Sequence, residues 1–436
     1  MHWQNWSGLE SAEPRTVIRP ASVADVVDAV TAARRGGTTV KMVGTGHSFT
    51  GIAAPGDAML LPHLLTGVVD VDREAMTVTA LAGTRLKVLN AELERLGLSL
   101  HNMGDIAEQT LAGAVSTGTH GTGGVAAGLS AQLTGLQLVT GAGEVVDADA
   151  EHHADVFEMA RVGLGALGIL TTVTFAVEPL FLLEAHEQPM SWDRALGTFD
   201  ELVASSHHCD MYWFPHTDRL LAKQNTRLDA DLSEAEPLSR VRHWVDDDLL
   251  SNTVFGALTA AGNRVPRIVP RLNQVAARAL SERTYSDVAH RVFTSSRRVV
   301  FREMEYAVPR EAGLDALREV RRVVDASDWT ISFPVEIRVA PADDIPLSTA
   351  YARDSFYLAF HTHHRSDLAQ HTAYLGAMEE VLRAHDGRPH WGKLHSLTAT
   401  DLAATYSRFD DFRALRDRLD PDRLFANDYL RRVLGE

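Results

Sequence analysis

The sequence holds a single cysteine, Cys209. That excludes an intramolecular disulfide framework and a cysteine-based metal or iron–sulfur site, and it fits a reducing compartment. Long apolar runs are missing too, since no window approaches the roughly 18 consecutive apolar residues that a spanning helix needs. Residues 1–7 have neither the basic start nor the apolar stretch of a secretory leader. The expectation is a cytoplasmic protein with no membrane partner. Basic residues are the minority, 42 Lys plus Arg against 58 Asp plus Glu for a net charge of −16, a balance that repels nucleic acid and anionic lipid. Redox chemistry in such a chain needs a borrowed cofactor.

What is present is ordinary globular composition, 45% hydrophobic and 23% charged over 436 residues. This excludes wholesale disorder and is enough chain for two lobes with separate cores. In the first 178 residues short apolar runs alternate with helical patterns, the mark of an α+β lobe. Ser22 precedes Val23, Val26, Val27 and Val30 on one helical face, with Asp25 completing a capping box and Gly36-Gly37 as the stop. Strands are expected over 39–43, 76–82, 136–147 and 165–177, and a helix over 86–96 ended by Gly97. Glu178-Pro179 marks the boundary, because the residue before proline is pushed out of helix. The expected division is 1–178, completed by about 400–436, and a second lobe over 179–399. In that lobe a charged helical stretch at about 234–292 precedes strands near 298–307, 331–341 and 356–363, with helical patterns at 310–324 and 366–384. Alternation of this kind predicts a mixed sheet with helices on one face.

Two glycine-rich segments carry the first chemical signal. Gly44-Thr45-Gly46-His47-Ser48-Phe49 follows a strand directly, so its backbone N–H groups can converge on an anion such as a pyrophosphate. The residues after Gly46 start no helical pattern, which disfavours a nicotinamide-type dinucleotide fold. The second segment, 102–124, combines Gly104, Ala112, Gly113, Gly118, Gly121, Gly123 and Gly124 with the hydroxyls of Thr110, Ser116, Thr117 and Thr119. Such a surface suits a long polar ligand better than a packed helix. A plain glycine-rich surface loop is the alternative, but Ile106, Leu111 and Val115 in the same run argue against it.

With Ala112-Gly113-Ala114-Val115-Ser116-Thr117-Gly118-Thr119-His120-Gly121 following the first motif about 70 residues on, the chain resembles the vanillyl-alcohol-oxidase-type flavoproteins. Within them it resembles the sugar-1,4-lactone oxidase and alditol oxidase branch. The likeness continues through Pro334-Val335-Glu336-Ile337-Arg338, Arg388-Pro389-His390-Trp391-Gly392-Lys393 and Leu424-Phe425-Ala426-Asn427. It implies a two-lobed α+β fold, an FAD-binding lobe plus a mixed-sheet substrate (cap) lobe. It also implies FAD bonded covalently through His47, a single tether because the second segment has no cysteine. By the same resemblance Val43, Gly44, Thr45, Gly46, His47, Ser48, Gly104, Asp105, Thr110, Gly113, Thr117, Gly118, Thr119, His120 and Ile169 line the flavin. A small residue at Gly104 is associated in this branch with oxygen reaching the ring, and Asp105 stands where alditol-oxidising relatives have serine. Both favour a lactone oxidase that forms hydrogen peroxide, with an alditol oxidase or a lactone dehydrogenase as alternatives.

The second chemical signal is a polar set in the distal lobe. Glu336 and Arg338 lie two apart on a strand, so both face one side while Val335, Ile337 and Val339 face the other. On a wet sheet face they would be a solvated ion pair worth little. His361 and His363 repeat the spacing, so two strands can present four polar groups to one cavity. With His364 they also raise metal binding, but no orderly further ligand accompanies them and no metal is expected. His152-His153 and His207-His208 read as exposed loop residues. Lys393 sits in a loop broken by Pro389 and Gly392, where a lysine is ordinarily solvated. The resemblance assigns Lys393, Glu336, Arg338 and Asp105 to the substrate pocket. Desolvated Lys393, His361 and His363 remain the candidates for the group that takes the substrate's proton.

Overall fold

A computed structural model describes residues 1–239, 242, 255–295 and 299–436. Near the N-terminus Ser22 accepts from the N–H of Asp25 at 3.2 Å while the Asp25 carboxylate accepts from the N–H of Ser22 at 3.0 Å. This capping box starts the helix Val23–Gly36, and Gly37, at φ 60°, ends it. Its buried face of Val26, Ala29, Val30 and Ala33 packs with Val40, Ala58 and Leu60 of a parallel three-stranded sheet. That sheet orders Thr16–Ile18, Ala58–Leu60 and Val40–Met42. A second, antiparallel sheet of five strands runs Val145–Asp149, Leu133–Val139, Ile169–Ala176, Thr77–Leu81 and Val68–Asp72. The helix Leu86–Arg95 buries Leu86, Leu89 and Leu93. Within the glycine-rich segment 102–124, read as a ligand surface rather than a packed helix, residues 111–116 wind into the short helix Leu111–Ser116, capped by the Thr110 hydroxyl on the N–H of Gly113. Its buried Leu111, Ala114 and Val115 explain why the segment folds rather than lying flat.

From Leu182 onward the strands enter one eight-stranded sheet. Its order is Arg283–Val288, Leu182–Ser191, Arg219–Leu228, His208–Trp213, Val335–Ala340, Ser355–His363, Phe301–Pro309 and Arg388–Pro389. Each of its pairings among the described residues is antiparallel, where a mixed sheet was expected. The reason lies in the crossover. The helix Gly313–Asp325 joins Phe301–Pro309 to Val335–Ala340, which do run parallel, but Ser355–His363 slots between them, antiparallel to both. Strand–helix alternation in the sequence therefore does not make parallel neighbours. Gly313–Asp325 and Leu368–Ala384 cover one face, with the Tyr306 hydroxyl bonded to Glu379 and the Phe360 ring against Tyr374. Glu303, Glu305, Glu336, Arg338 and His361 occupy the opposite face.

The stretch at 234–292 is only partly helical. It holds Phe255–Arg264, Val269–Ala279, Ala289–Phe293 and the edge strand Arg283–Val288, while 240–241 and 243–254 lie outside the described residues, as does 298 of the strand expected at 298–307. His208, expected on a loop, is buried at the start of its strand, with Nε2 3.1 Å from the Asn102 amide oxygen. The C-terminal segment returns to the first lobe. Val40 N–H donates to the Leu424 carbonyl at 2.8 Å, and the Asn427 amide donates to the carbonyls of Gly51, Ile52 and Ala54. Among the described residues no helix is long and apolar enough to cross a membrane.

Candidate active site

The turn after Val40–Met42 has little freedom. A Cβ on Gly44 would sit 2.3 Å from the Thr110 hydroxyl, and Gly46 holds φ at 71°, so both positions require glycine. Trp6 N–H donates to the Gly46 carbonyl at 2.8 Å, the Asn5 amide to the Ser48 carbonyl at 2.9 Å, and Phe49 N–H to the Gly392 carbonyl at 2.7 Å. His47 is thereby fixed between the N-terminal strands and the loop that carries Lys393.

On one side of His47 opens a cleft of about 820 Å³. Gly44, Thr45, Gly46, His47, Ser48, Thr110, Gly113, Thr117 and Ile169 line it, together with Lys41, Gln109 and Phe425, which sequence reasoning missed. Val43 does not reach it: fully buried, it packs with Met59 and Leu61 behind the turn. Gly118 faces a separate small pocket. The cleft, lined by the glycine turn and by the hydroxyls of Thr45, Ser48, Thr110, Ser116 and Thr117, fits a dinucleotide that needs close backbone approach. Burial lowers the pKa of His47, with Glu108 raising and Arg85 lowering it further, so the imidazole is neutral.

On the other side lies a cavity of about 670 Å³ that shares His47, Ser48, Gln109 and Thr117 with the cleft. Gly104, Asp105, Thr119, His120, Glu336, Arg338, His361 and Lys393 line it. Glu336 and Arg338 are only 4% and 8% exposed, so they are no solvated surface pair. Arg338 Nε and Nη2 both donate to Glu336 Oε1, at 3.0 and 2.6 Å, with Asp210 at 3.3 Å and Asp105 at 3.5 Å from the same guanidinium. His363 does not join them. Its Nδ1 accepts from Arg365 N–H at 3.1 Å, and burial, with His364, Arg365 and Arg302 nearby, pulls its pKa down to about 4. The rings of Phe301 and Phe333 flank His361.

Glu303 and Glu305 are the lining residues with the largest consequence that the sequence reading overlooked. Lys393 Nζ donates to Glu303 and lies 3.3 Å from Glu305, whose other oxygen is 2.8 Å from His120 Nε2. Burial alone would lower the Lys393 pKa, but Glu303 and Glu305 override it and hold the ammonium above its ordinary value. Lys393 is therefore held as a cation, which suits charge stabilisation better than proton acceptance. Burial raises Glu303, and Lys393 and His361 outweigh it to leave the carboxyl at about 2. Burial pushes Asp210 up to about 6 despite Arg338. The missed acids did carry a signal, the same i, i+2 spacing on Phe301-Arg302-Glu303-Met304-Glu305 that singled out Glu336 and Arg338. Two triplets, His120–Glu305–His390 and Glu303–Glu336–His361, bring polar atoms within 4.8 Å of one another. Their carboxylates are already paired with Lys393 and Arg338.

Residues 173–433 match the family model described as D-arabinono-1,4-lactone oxidase, and 14–149 match an FAD binding domain. The chain is 40% identical to the L-gulono-1,4-lactone dehydrogenase of Mycobacterium tuberculosis over 99% of both chains. It is 31% identical to the L-gulonolactone oxidase of Mus musculus, over 99% of this chain and 98% of that one. Its fold matches crystalline cholesterol oxidase from B. sterolicum with a TM-score of 0.83 at 19% identity, over 99% of this chain and 96% of that chain.

Proposed function

The chain belongs to the D-arabinono-1,4-lactone oxidase family, FAD-dependent oxidoreductases on a two-lobed flavoprotein fold of the vanillyl-alcohol-oxidase type, and on that premise we propose that it oxidises a secondary alcohol of a sugar-1,4-lactone of the L-gulono or D-arabinono type. The observation that carries this reading is the junction. The cofactor cleft and the charged cavity share His47, Ser48, Gln109 and Thr117, so a substrate held by the charged groups lies against the end of the cleft that His47 marks.

FAD, when bound, supplies a two-electron acceptor at its N5 and passes the electrons to an outside oxidant. His47 is the proposed covalent anchor: its imidazole, kept neutral by desolvation, would be the group bonded to the flavin. Gly44, Gly46, Thr110, Gly113 and Thr117 hold the cofactor's polar length. Arg338 and Lys393 bind substrate oxygens and offset the alkoxide charge that develops as the hydroxyl proton leaves. Glu336 fixes the guanidinium plane, and Asp105 bonds a substrate hydroxyl at the rim.

Oxygen is the proposed acceptor, in keeping with the resemblance, which associates a small residue at Gly104 with oxygen reaching the flavin. A second reading, transfer to a non-oxygen acceptor, draws on the 40% identical relative, which is named a dehydrogenase. One experiment separates these readings from each other and from an alditol oxidase. Purified yellow protein is mixed with L-gulono-1,4-lactone, D-arabinono-1,4-lactone, xylitol or sorbitol, following flavin bleaching without air and peroxide with air. Bleaching and peroxide from a lactone are expected. Bleaching by a lactone without peroxide transfers the reading to the dehydrogenase, and bleaching by xylitol alone refutes the lactone assignment. In the same preparation acid precipitation should carry the flavin down with wild type and release it from His47→Ala.

A further inference from the structure

Three carboxylates converge on Arg338, and one of them lies outside the cavity lining. Glu336 and Asp105 line the cavity, whereas Asp210 does not, although its Oδ1 is 3.3 Å from Arg338 Nε. That oxygen is closed to solvent and makes no hydrogen bond, so the guanidinium is what compensates its burial. Asp210 is also one member of a row. It continues the pairing of Met211 with Ile337 and Tyr212 with Glu336, which sets it opposite Arg338. On its other side it is paired with Lys223, and Lys223 is paired with Glu187 on the next strand. Glu187 takes two hydrogen bonds from Arg283 on the edge strand, at 2.7 and 2.9 Å. Residues opposite each other in antiparallel strands share a face. Arg283, Glu187, Lys223, Asp210 and Arg338 therefore alternate in sign along one line from the sheet edge, and only Arg338 lines the cavity. Burial would lower the Lys223 pKa, but Tyr285, Glu187 and Asp210 raise it overall, and its ammonium donates to the Val292 carbonyl at 3.1 Å.

We propose that Asp210 is a positioning residue for substrate binding: backed by Lys223, it holds Arg338 at Nε and so fixes the guanidinium for the substrate's oxygens. This deepens, and rests on, the oxidation proposed above, in which Arg338 binds substrate. Glu336 and Asp105 line the cavity, so a substrate hydroxyl competes for their oxygens. Asp210 lies outside that competition and keeps its hold while substrate is bound. Its charge is adjustable. Burial pushes its carboxyl up to about 6, with Glu336 and Asp105 adding to the rise and Arg338 and Lys223 opposing it. Those four are the charged groups that face it, two from Val335–Ala340, Lys223 from Arg219–Leu228 and Asp105 from the first lobe. Below that value the carboxyl is protonated and its hold on Arg338 is lost.

The test is anaerobic reduction of the holoenzyme's flavin at varied concentrations of L-gulono-1,4-lactone, and of xylitol, from about pH 5 to 8. In wild type the half-saturating concentration should rise about tenfold as the pH falls from about 7.5 to about 5. Asp210→Asn should keep its flavin and show the raised value at every pH, while its limiting rate at about pH 7.5 falls no more than about threefold. Lys223→Gln leaves Asp210 in place but removes the cation opposite it, so the midpoint of the pH response should move up by about one pH unit or more. A merely structural role would lower flavin content or rate without flattening the pH response. Wild-type saturation that is flat with pH overturns the proposal, as does an Asp210→Asn enzyme that saturates like wild type at about pH 7.5 or keeps its pH response. An unmoved midpoint in Lys223→Gln overturns the backing by the row. Should Asp210→Asn fail to fold, the wild-type profile and the Lys223→Gln midpoint decide. If xylitol alone bleaches the flavin, the lactone reading falls and the same saturation test is read with xylitol. If neither compound bleaches it, the functional reading falls first and takes this role with it.

Discussion

In the cleft on one side of His47 the chain presents main chain, glycines and hydroxyls from two compact stretches, 44–48 and 110–117. In the cavity on the other side it presents buried charge drawn from three strands and a loop, Glu303 and Glu305, Glu336 and Arg338, His361, and Lys393. The cleft is a matter of clearance, where one added carbon decides whether backbone and ligand can meet. The cavity is a matter of balance, where each carboxylate is tolerable only beside its cation. The two halves should therefore fail differently: steric changes should empty the cleft and leave the charged wall intact, while charge changes should stop chemistry and leave flavin bound.

The largest effect expected from breaking that contrast is at Lys393. Lys393→Met leaves Glu303 and Glu305, both nearly inaccessible, facing each other with no ammonium between them. Removing one partner of a buried ion pair costs about 3–5 kcal/mol, and the loss of an orienting cation should slow anaerobic flavin reduction by about 1,000-fold. Flavin content should hold. The pH response gives the sign. Wild-type Glu303 sits at about 2 against an ordinary 4.5, so its pairing stabilises the fold above the ordinary value and is lost as the pH falls toward 2. Without Lys393 the two carboxyls rise instead, so the variant should melt higher at about pH 5.5 than at 7.5. Melting that is flat across that interval would show the balance argument to be wrong.

Gly44→Ala comes next and tests the other half. The new Cβ falls 2.3 Å from the Thr110 hydroxyl, which itself caps Leu111–Ser116, so the turn and the helix start cannot both keep their places. Flavin per protein should drop about tenfold or more, while the melting point of flavin-free protein falls only by what about 1–3 kcal/mol of overpacking explains. Adding Thr110→Ala should restore part of the flavin by clearing the hydroxyl, at the cost of about 1 kcal/mol for the lost cap. Full flavin in the single variant would mean that clearance does not govern the cleft.

The same contrast explains what was legible in the sequence. The helix Val23–Gly36 was readable from Ser22, Asp25 and Gly37 because its signals act within one turn of chain. The glycine turn at His47 was readable for a similar reason, as a strand running into residues that only a close approach requires. The charged cavity was half readable: period-two spacing found Glu336 and Arg338, and the family likeness found Lys393. Glu303, 90 residues from Lys393, went unread because its partner is set by sheet order rather than by local pattern. His363 was over-read on that spacing rule, which gives the face of a strand but not where a cavity ends. Leu111–Ser116 was under-read because its small residues look like a ligand surface until Leu111 and Val115 find a core.

Lys41 belongs to the cleft in place and to the cavity in kind, and it sharpens the comparison with a smaller effect. Its ammonium donates to the carbonyls of Gly165 and Phe425 at 3.0 and 3.1 Å, tying the C-terminal segment to the strand before the glycine turn. Burial pulls its pKa from 10.5 to about 7, with Asp420 only partly opposing. Between those two values the unfolded chain binds more protons than the folded one, so this group makes stability rise with pH across the window. The ceiling is about 1.4 kcal/mol per pH unit. Unfolding free energies of wild type and Lys41→Met should therefore diverge between about pH 7.5 and 9.5, with wild type gaining; parallel curves would mean that Lys41 is protonated throughout.

Gly104 carries the smallest expected change and sits where the two halves meet. A Cβ there would lie 3.1 Å from the His120 carbonyl and 3.2 Å from the Thr119 methyl group, so alanine presses on the residues that lead His120 to Glu305 by a few tenths of an ångström rather than filling open space. Neighbours can yield that much, so flavin content and lactone-driven reduction should stay within about twofold. If the absent side chain is what lets oxygen in, reoxidation of the reduced protein by air should slow about fivefold or more, while a soluble dye acceptor is reduced as before. Equal slowing of both half-reactions would mean instead that the pressure on Thr119 and His120 reaches Glu305 and Lys393, and that clearance and charge balance are not separate properties at this junction.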